Sequence, residues 1–367
     1  MGDSRDRPGY ERADMAMRGT GAVGAAFANQ VAYCENAGAQ VTARIVGAIW
    51  EAIATGLDNG LARRVRDWKG APLADALPLR VAGGLHWLHL TGREQALAPI
   101  YRGERADDVA LVGKALLDHE ALLLPWLDGP PQTNEAGRSS NFIAAMLWLA
   151  EQGLPARFEC LEIGSSAGIN LMLDRYGYDL GGVTVGPDRP VMHFAPAWHG
   201  APPPDTVISI VAARGCDVAP VDLADPAQAM RLKAYIWPEH QLRFARMDAA
   251  IRSAGDRPPD LTALTAGDFV TAELARPPSP GVTRVLMHSI VWQYLPAAEQ
   301  ERIAATMKAA GAAATPQAPL AWIAVEADRT VHRHALSVRY WPGGGEATRL
   351  AWSHPHGADI EWLAGQG

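Results

Sequence analysis

Residues 157–175 decide the fold and read Arg-Phe-Glu-Cys-Leu-Glu-Ile-Gly-Ser-Ser-Ala-Gly-Ile-Asn-Leu-Met-Leu-Asp-Arg. The largely apolar run 158–163 predicts a buried strand of a parallel sheet. The small residues 164–168 predict a tight turn, and from Ile169 onward apolar residues recur at helical spacing. A strand, a turn and a helix bring bare backbone N–H groups and a helix N-terminus to one point, which suits a nucleotide-like ligand. Glu162 ends the strand with a carboxylate aimed at the same point.

The spacing of the small residues separates ligand classes. A dinucleotide fingerprint requires glycine in the pattern G-x-G-x-x-G, and counted from Gly164 these positions hold Gly164, Ser166 and Ile169. No G-x-x-x-x-G-K-[ST] occurs, which excludes a P-loop. The pattern E-x-G-x-x-x-G from Glu162 to Gly168 instead resembles motif I of class I S-adenosylmethionine-dependent methyltransferases, with Ser166 where a third glycine is usual. The alternative is a turn whose residues are small only for packing.

Composition limits the class of protein. The 367 residues are 48% hydrophobic and 20% charged, enough for a large core in one or two domains. The net charge of −7 gives no general attraction to nucleic acid, so no nucleic-acid partner is expected. Cys34, Cys160 and Cys216 are widely separated and predict neither a disulfide framework nor a zinc site. We expect a soluble cytoplasmic protein without membrane attachment, because the start lacks a secretory apolar region and no run reaches membrane-spanning length. The oligomeric state is left open.

The spacing of apolar residues divides the chain into two regions. Residues 1–20 are charged and glycine-rich and are expected to fray. The rest of region 1–152 has helical spacing throughout, which predicts a lid or cap of about five to seven helices. Region 153–367 alternates strands with helices, which predicts an α/β domain with a mostly parallel sheet.

Within the second region the pattern predicts individual elements. In chain order they are an irregular insertion with a hairpin at 178–204, a strand at 207–211 ending near 214–217, a long helix at 226–253, a weak strand within 254–268 that ends in 267–269, a strand at 284–290, a helix at 296–310, a strand at 320–326, and an antiparallel pair at 336–341 and 347–352 joined by 342–345.

Several phrases spread over nearly the whole chain resemble one bacterial family, domain-of-unknown-function family twenty-three thirty-two. They are Gln132-Thr133-Asn134-Glu135, the turn 162–170, Arg214-Gly215-Cys216-Asp217, Trp237-Pro238-Glu239, the run 288–296 and His354-Pro355-His356-Gly357. The family is placed among methyltransferase-like folds without an assigned substrate. The resemblance implies a Rossmann-like class I methyltransferase sheet of five alternating units closed by an antiparallel hairpin. The usual helix between 326 and 336 has no room, so a loop or single turn is expected there.

The resemblance also implies a cofactor, S-adenosylmethionine. It would be held by the turn residues Gly164, Ser165, Ser166, Gly168 and Asn170. By analogy with class I enzymes, Glu162 would favour the methionine ammonium and Asp217 would accept the ribose hydroxyls. Asp268, with Phe269 beside it, would meet the adenine. A carboxylate at the end of a strand is also often a turn former or helix cap, so Asp217 and Asp268 have that second interpretation.

The stretch 288–294 follows the central fourth strand, where this fold places residues that face the substrate. His288 is a candidate general base because the unperturbed pKa of histidine lies near neutrality. The alternative is a buried, hydrogen-bonded histidine. Trp292 and Tyr294 are candidates to stack on the substrate or against the sulfonium by cation–π attraction, and they are equally suited to anchor the following helix in the core.

Polar residues also gather just before an amphipathic helix that leads into the first strand. Gln132 and Asn134 are candidate substrate contacts, Glu135 is a candidate acid–base residue, and Arg138 is suited to pair with the carboxylate of the cofactor. The same residues are explained by helix-start chemistry, with Asn134 as the N-cap. Both interpretations remain open.

Two H-x-H pairs occur near the C-terminus, His332 with His334 and His354 with His356. Each pair could share one face of a strand, but a metal centre needs at least a third ligand and an open site. The sequence shows no convincing third ligand, so no metal is predicted.

Three functions agree with these features. The first is a methyltransferase acting on a small molecule or a protein side chain, which requires a nucleophile close to and in line with the sulfonium methyl. The second is a non-catalytic regulatory protein that binds an S-adenosyl ligand or a nucleotide, favoured by Ser166 and by the lack of an acid–base motif. The third is another nucleotide-type enzyme on the same sheet. No N/D-P-P-Y/F motif follows the fourth strand, which disfavours methylation of nucleic-acid bases.

Overall fold

The computed structural model describes residues 21–132, 134–331 and 333–364, so the segment predicted to fray lies outside them. Residue contacts divide the described chain into two compact units. The helical unit contains 21–132 together with Pro226–Met247, and the sheet unit contains Asn134–Asp225 and the residues from Asp248 onward. This division differs from the predicted boundary at 152, because the helix at 139–151 belongs to the sheet unit.

Helices form the first unit, as the apolar spacing predicts. The α-helices of both units are α1 (Gly21–Asn36), α2 (Gln40–Ala54), α3 (Gly60–Arg66), α4 (Leu77–Leu90), α5 (Ala98–Tyr101), α6 (Asp108–Asp118), α7 (Glu120–Leu123), α8 (Ser139–Glu151), α9 (Pro226–Ala234), α10 (Gln241–Asp256), α11 (Ala266–Leu274) and α12 (Ala297–Ala312). The strongest amphipathic pattern is in α2, whose Ile45, Ile49 and Ile53 are buried in the core of this unit.

The single helix predicted over 226–253 is wrong. The chain forms two helices there, α9 and α10, separated by residues 235–240. Pro238 lies in the break, and proline removes a backbone donor and disfavours helical geometry at the residue before it. Glu239 in the same break caps α2: its Oε1 accepts from the Thr42 N–H at 2.9 Å and its Oε2 accepts from the Thr42 hydroxyl at 2.8 Å. The phrase Trp237-Pro238-Glu239 therefore has a structural role in the helical unit.

The second unit is built on a large sheet. The strands are β1 (Arg157–Ile163), β2 (Gly177–Leu180), β3 (Val183–Val185), β4 (His193–Phe194), β5 (Ala197–His199), β6 (Ser209–Asp217), β7 (Asp260–Ala263), β8 (Thr283–Ser289), β9 (Leu320–Asp328), β10 (Arg333–Trp341), β11 (Thr348–Ser353) and β12 (Asp359–Trp362). The large sheet has the order β5-β12-β11-β10-β9-β8-β1-β6-β7, and β2, β3 and β4 form a small second sheet.

The direction of the strands confirms a mixed α/β fold with a mostly parallel sheet. From β7 through β6, β1 and β8 to β9 all neighbours are parallel. Strands β10, β11 and β12 then pair antiparallel with their predecessors, which confirms the antiparallel strands near the C-terminus. Residues 329–331, between β9 and β10, form a turn and no helix, as expected. The hairpin expected in the insertion is formed by β2 and β3.

The weak strand ends earlier than the sequence predicts. Strand β7 ends at Ala263, and Gly267, Asp268 and Phe269 lie in α11. The helix begins early because the Thr265 side chain accepts a hydrogen bond from the Asp268 N–H, an N-cap that satisfies one of the free donors of the first turn.

Side-chain alternation along the strands gives the sheet two distinct faces. The α11 face carries Leu161 and Ile163, which pack in one core cluster with Phe269 of α11 and Ile303 of α12. The opposite face is covered by α8, whose Trp148 contacts Tyr340 of β10 edge to face, with ring centroids 5.8 Å apart. We call this the α8 face. Continuous register from β1 through β8 and β9 to β10 assigns every residue of these strands to one face or the other.

Candidate functional site

The turn after β1 requires small residues because of its backbone. Gly164, Ser166 and Gly168 have φ values of 67°, 51° and 69°, a left-handed region that L side chains rarely adopt. A Cβ at Gly168 would lie 2.7 Å from Cβ of Pro259, and one at Gly164 would collide with Val291 of the turn after β8. Packing therefore explains both glycines, and a ligand is not needed to explain them.

The prediction of bare N–H groups at this turn is wrong for three of its residues. The N–H of Ser165 donates to the Cys216 carbonyl at 2.9 Å. The N–H of Ser166 donates to Asp217 Oδ2 at 2.9 Å, and that of Gly168 to the Ser165 carbonyl at 2.7 Å. The turn is tied to the end of the neighbouring strand β6, so ligand recognition at this point depends on side chains.

The helix predicted from Ile169 is instead two short 3-10 turns within Ile169–Arg175, separated by a kink at Met172. Two tyrosines that follow this segment explain its shortness. The Tyr176 hydroxyl donates to the Ile169 carbonyl at 2.7 Å, and the Tyr178 hydroxyl donates to the Leu173 carbonyl at 3.0 Å. These carbonyls would accept main-chain N–H groups in a longer α-helix. The segment therefore lacks the long helix N-terminus of a dinucleotide site.

Three buried polar atoms at or beside this turn lack a hydrogen-bond partner. Glu162 is only 2% exposed, and its Oε2 has no hydrogen-bond partner among the described residues. The same holds for Ser166 Oγ and Asn170 Oδ1. Each unsatisfied buried group costs about 1–3 kcal/mol, and native proteins rarely leave such groups without a protein, water or ligand partner. These three atoms define the candidate ligand site.

Burial also changes the protonation of Glu162. Loss of hydration raises the pKa of the Glu162 carboxyl to about 7, while the Asn170 and Ser165 side chains and the charge of Arg138 oppose this rise. A cationic donor placed at Oε2 would supply the missing partner and stabilise the carboxylate form. The site is therefore suited to a ligand with an ammonium group.

Residues 134–138, which we call the strap, connect this turn to the turn after β11. At one end, Asn134 Nδ2 donates to the Ser165 carbonyl at 2.7 Å. At the other end, Arg138 Nε donates to the Pro355 carbonyl at 2.8 Å. Asn134, Glu135 and Arg138 are all buried. The strap therefore lies along the carboxyl ends of the strands between β1 and β11.

Glu135 has a local structural role within the strap. Its Oε1 accepts from the Gly137 N–H at 3.3 Å and caps the 3-10 helix Ala136–Arg138 that leads into α8. Glu135 thus occupies the capping position that one interpretation of the sequence gave to Asn134. Gln132, the other residue predicted for this segment, is half-buried and belongs to the helical unit.

His288 lies on the α11 face with both ring nitrogens bonded. Nδ1 is 2.7 Å from Glu326 Oε1, and Nε2 accepts from the Trp322 indole N–H at 2.9 Å. Because an indole N–H only donates, Nε2 carries no proton and Nδ1–H donates to Glu326. Side chains alternate between the two faces along each strand, and the register places Glu162 on the α8 face, opposite to His288. The structure therefore does not bring His288 and Glu162 together.

The aromatic residues after β8 differ in exposure. The Trp292 ring stacks on His288, with centroids 5.2 Å apart and an interplanar angle of 19°. Tyr294 is 70% exposed. Trp292 thus packs within the His288 network, and Tyr294 remains available to a substrate or partner.

Glu326 holds the turn after β8 together. Besides His288, its Oε1 accepts from the N–H groups of Val291 at 3.1 Å and Trp292 at 3.2 Å. Ile290, just before them, has φ 53°, which is strained for a β-branched residue. One carboxylate oxygen thus stabilises a strained turn that packs directly against Gly164.

Removal of this carboxylate is expected to destabilise the chain. Glu326→Ala leaves three donors without their acceptor, so we expect a loss of about 2–4 kcal/mol in the free energy of unfolding. Glu301→Ala, at an exposed position of α12, is the matched control and should change stability by under about 0.5 kcal/mol. Urea unfolding measures both. Equal stability of the two variants would contradict this role.

The three other predicted cofactor residues are placed differently. Asp217 lies at the turn, where Oδ2 accepts from Ser166 and Oδ1 accepts from the Ala219 N–H at 2.9 Å. Asp268 is exposed on the first turn of α11 and pairs with Arg302 at 2.8 Å. Phe269 is buried in the core of the α11 face. Asp217 is therefore a turn former next to the site, and the adenine contacts expected from Asp268 and Phe269 stay a prediction.

The H-x-H spacing of the C-terminal histidines points only to metal ligands. His332 lies outside the described residues, and no group of three or more histidine, cysteine or acidic residues in the described ranges could hold a metal ion. His334 begins β10 and pairs with Ala327 of β9. That register assigns it to the α8 face, the face of Glu162. Only the pairing of the strands shows this, because sequence spacing gives no register between distant strands.

Residues 24–362 match the family described as "Uncharacterized protein conserved in bacteria (DUF2332)", and the chain belongs to that family. No curated protein and no solved structure matches the chain. Within the described ranges, none of the helices combines the length and the apolar character needed to cross a bilayer.

Proposed function

We propose that this chain is an S-adenosylmethionine-dependent methyltransferase of the Rossmann-like class I type, acting on a small molecule or a protein side chain. The observation that carries the proposal is the buried carboxylate of Glu162 with its unpartnered Oε2. Glu162 lies near the carboxyl end of β1, between β8 and β6 in the sheet. The strand order reverses direction there, and open α/β sheets bind ligands at such points.

The charges around the site support an amino-acid moiety in the ligand. Glu162 is suited to the ammonium group. The positive charge of Arg138 lies close enough to affect Glu162, and it is suited to the carboxylate. Ser166 Oγ and Asn170 Oδ1 supply further unpartnered acceptors. The methionine half of S-adenosylmethionine carries both charges, and five parallel strands closed by a hairpin agree with the sheet implied by the resemblance.

A melting-temperature panel tests cofactor choice. A ligand that binds only the native state stabilises it by about 2.7 kcal/mol at a concentration 100 times its Kd. We expect S-adenosylhomocysteine to raise the melting temperature and NAD and ATP to leave it unchanged. Methylthioadenosine has the same nucleoside without the ammonium group, and we expect a smaller rise. A rise with NAD and none with S-adenosylhomocysteine would contradict the proposal.

A second candidate function is a regulatory protein that binds the S-adenosyl ligand without catalysis. It is favoured because both candidate acid–base residues have structural roles. Both ring nitrogens of His288 are hydrogen-bonded, and the Glu135 carboxylate caps a helix. Incubation with methyl-labelled S-adenosylmethionine and fractions of a bacterial extract separates the two functions. Label in the small-molecule or the protein fraction supports catalysis. Binding of the cofactor without transfer of label to either fraction supports the regulatory function.

A further inference from the structure

Glu162 has two diagonal neighbours on the α8 face, one on each adjacent strand. It pairs with Gly215 of β6 on one side and with Met287 of β8 on the other. Two residues further toward the carboxyl edge, the same face carries Asp217 on β6 and Ser289 on β8. The spacing between strands and the rise along them put each of these about 8 Å from Glu162, measured between Cα atoms. Both side chains are therefore close enough to contact a ligand bound at Glu162.

The two neighbours differ in their free hydrogen-bonding capacity. Both carboxylate oxygens of Asp217 accept main-chain N–H groups, those of Ser166 and Ala219, at 2.9 Å. Ser289 is only 8% exposed, yet its hydroxyl makes no hydrogen bond to a described residue. Such a hydroxyl is uncommon in native proteins, where water or a ligand normally supplies the partner. Ser289 therefore offers one donor and two lone pairs beside the Glu162 site.

The backbone around Ser289 is held in place. Ser289 pairs with Val325 of β9, and the Val325 carbonyl accepts from the Ile290 N–H at 3.0 Å. Ile290 has φ 53°, and the Glu326 carboxylate holds the turn that follows it. Strained backbone persists where surrounding contacts enforce it, and it is concentrated at functional sites. The Ser289 hydroxyl is thus presented from a defined position at the carboxyl edge of the sheet.

The methionine part of S-adenosylmethionine is long enough to connect the two positions. Four covalent bonds separate its ammonium nitrogen from its sulfonium sulfur, so these atoms lie within about 5 Å of each other. With the ammonium group at Glu162 Oε2, the reacting methyl would lie within the distance that separates Glu162 from Ser289. On the other side of β1, both oxygens of Asp217 are already engaged. An acceptor that approaches the methyl from the side of β8 would contact the Ser289 hydroxyl.

The surroundings of Ser289 favour a small uncharged acceptor. On the α8 face it is flanked by Met287, two residues before it, and by Val325, its partner in β9, both of which are buried. Glu162, the carboxylate on this face of β1, is assigned to the cofactor ammonium. A charged group placed between these apolar side chains would lose hydration without gaining a charged partner. Glu162 and Ser289 are 2% and 8% exposed, which suits a molecule that is enclosed on binding.

We propose that the Ser289 hydroxyl binds the reacting group of the methyl acceptor, and that the acceptor is a small uncharged molecule with an amine, thiol or hydroxyl group. The assignment rests on the proposed methyltransferase function. In the transfer, a lone pair of the acceptor atom attacks the methyl carbon, and the carbon–sulfur bond breaks with its electron pair left on sulfur. The acceptor's proton passes to solvent, and S-adenosylhomocysteine is left without the sulfonium charge. Ser289 orients the attacking lone pair in line with the bond that breaks.

Replacement of the hydroxyl by a thiol tests this position directly. Ser289→Cys places a nucleophile beside the expected methyl, and pH 9 lies above the ordinary pKa of a thiol, about 8.5. We expect incubation with S-adenosylmethionine at pH 9 to add one methyl group to the introduced thiol, located by peptide mass spectrometry. The native Cys34, Cys160 and Cys216 are buried, so the wild type should gain none.

Ser353→Cys is the matched control. Ser353 is also 8% exposed, and its pairing with His334 places it on the α8 face, but it lies in β11, three strands from β8. The thiol introduced there should stay unmethylated. Methylation of both variants would mean that transfer does not depend on position, and would overturn the assignment. Methylation of neither variant, although both bind S-adenosylhomocysteine, would overturn it as well.

Calorimetry with S-adenosylhomocysteine separates this assignment from the proposed function. We expect Ser289→Ala and Ser289→Cys to bind it within about twofold of the wild type, because the hydroxyl contacts the acceptor and not the cofactor. A roughly tenfold loss in either variant would assign the hydroxyl to the cofactor. That result would overturn the acceptor assignment and leave the proposed function standing. If the wild type itself does not bind S-adenosylhomocysteine, the proposed function fails, and the acceptor assignment fails with it.

Discussion

Glu162→Gln is expected to weaken the binding of S-adenosylhomocysteine by roughly 10- to 100-fold, since a hydrogen bond to a charged group contributes about 1.5–3 kcal/mol. Glutamine has the same shape, but it lacks the negative charge that would pair with the ligand ammonium. Calorimetry of the wild type, Glu162→Gln and Glu301→Gln measures the effect, and the last variant should bind as the wild type does. Methylthioadenosine should bind both Glu162 forms equally. Unchanged affinity for S-adenosylhomocysteine in Glu162→Gln would place the ligand elsewhere.

The same variant has an expected effect on the stability of the ligand-free protein. The folded-state pKa of Glu162 is about 7, against 4.5 as the ordinary value. The folded state therefore binds more protons than the unfolded state between these values. The stability contribution is fully present below pH 4.5 and is lost as pH rises through 7, by up to about 3 kcal/mol. Glu162→Gln should remove this loss, so its stability relative to the wild type should increase from pH 5 to pH 8. A difference that does not change with pH would contradict the raised pKa.

Gly168→Ala is expected to reduce the free energy of unfolding by about 2–4 kcal/mol, because it adds steric overlap to backbone strain. Its Cβ would lie 2.7 Å from Pro259 Cβ and 3.2 Å from Leu261 Cδ1, and the residue has φ 69°. Gly281→Ala is the matched control: its φ is 73°, and nothing lies within 4 Å of an added Cβ. That variant should lose only about 1 kcal/mol, the cost of the left-handed backbone alone.

Urea unfolding of both alanine variants isolates the steric part of the cost. Equal losses would mean that the turn after β1 adjusts freely. That result would contradict its close packing against Pro259. It would also remove the packing explanation for the glycine at this position.

Strongly patterned local sequence predicted much of the sheet. The apolar run of β1, the small residues after it and the glycine-rich connection between β10 and β11 are short-range signals, and the structure forms these elements. Glu162 was identified because it is a carboxylate at the end of a central strand. Its burial and its unpartnered oxygen agree with a ligand site.

Distant contacts decided the features that sequence reasoning missed. Tyr176 and Tyr178 take the carbonyls that would continue an α-helix after Ile169, and no local propensity reveals this. His288 was a reasonable candidate base, but its two partners come from β9, a separate strand. Sheet register alone assigns His334 to the α8 face. A pattern along one strand gives alternation, but the relative face of two strands depends on their pairing.

Calorimetry of S-adenosylhomocysteine binding at pH 6 in buffers of different ionisation enthalpy tests the central claim most directly. At pH 6 most Glu162 side chains are protonated, because the pKa is about 7. An ammonium group bound at Oε2 favours the carboxylate, so binding should release close to one proton per chain at pH 6. The measured enthalpy should then vary with the buffer at pH 6, much less at pH 8, and not at all in Glu162→Gln. Absence of binding, or binding whose enthalpy is independent of the buffer at pH 6, would contradict an S-adenosyl site at Glu162.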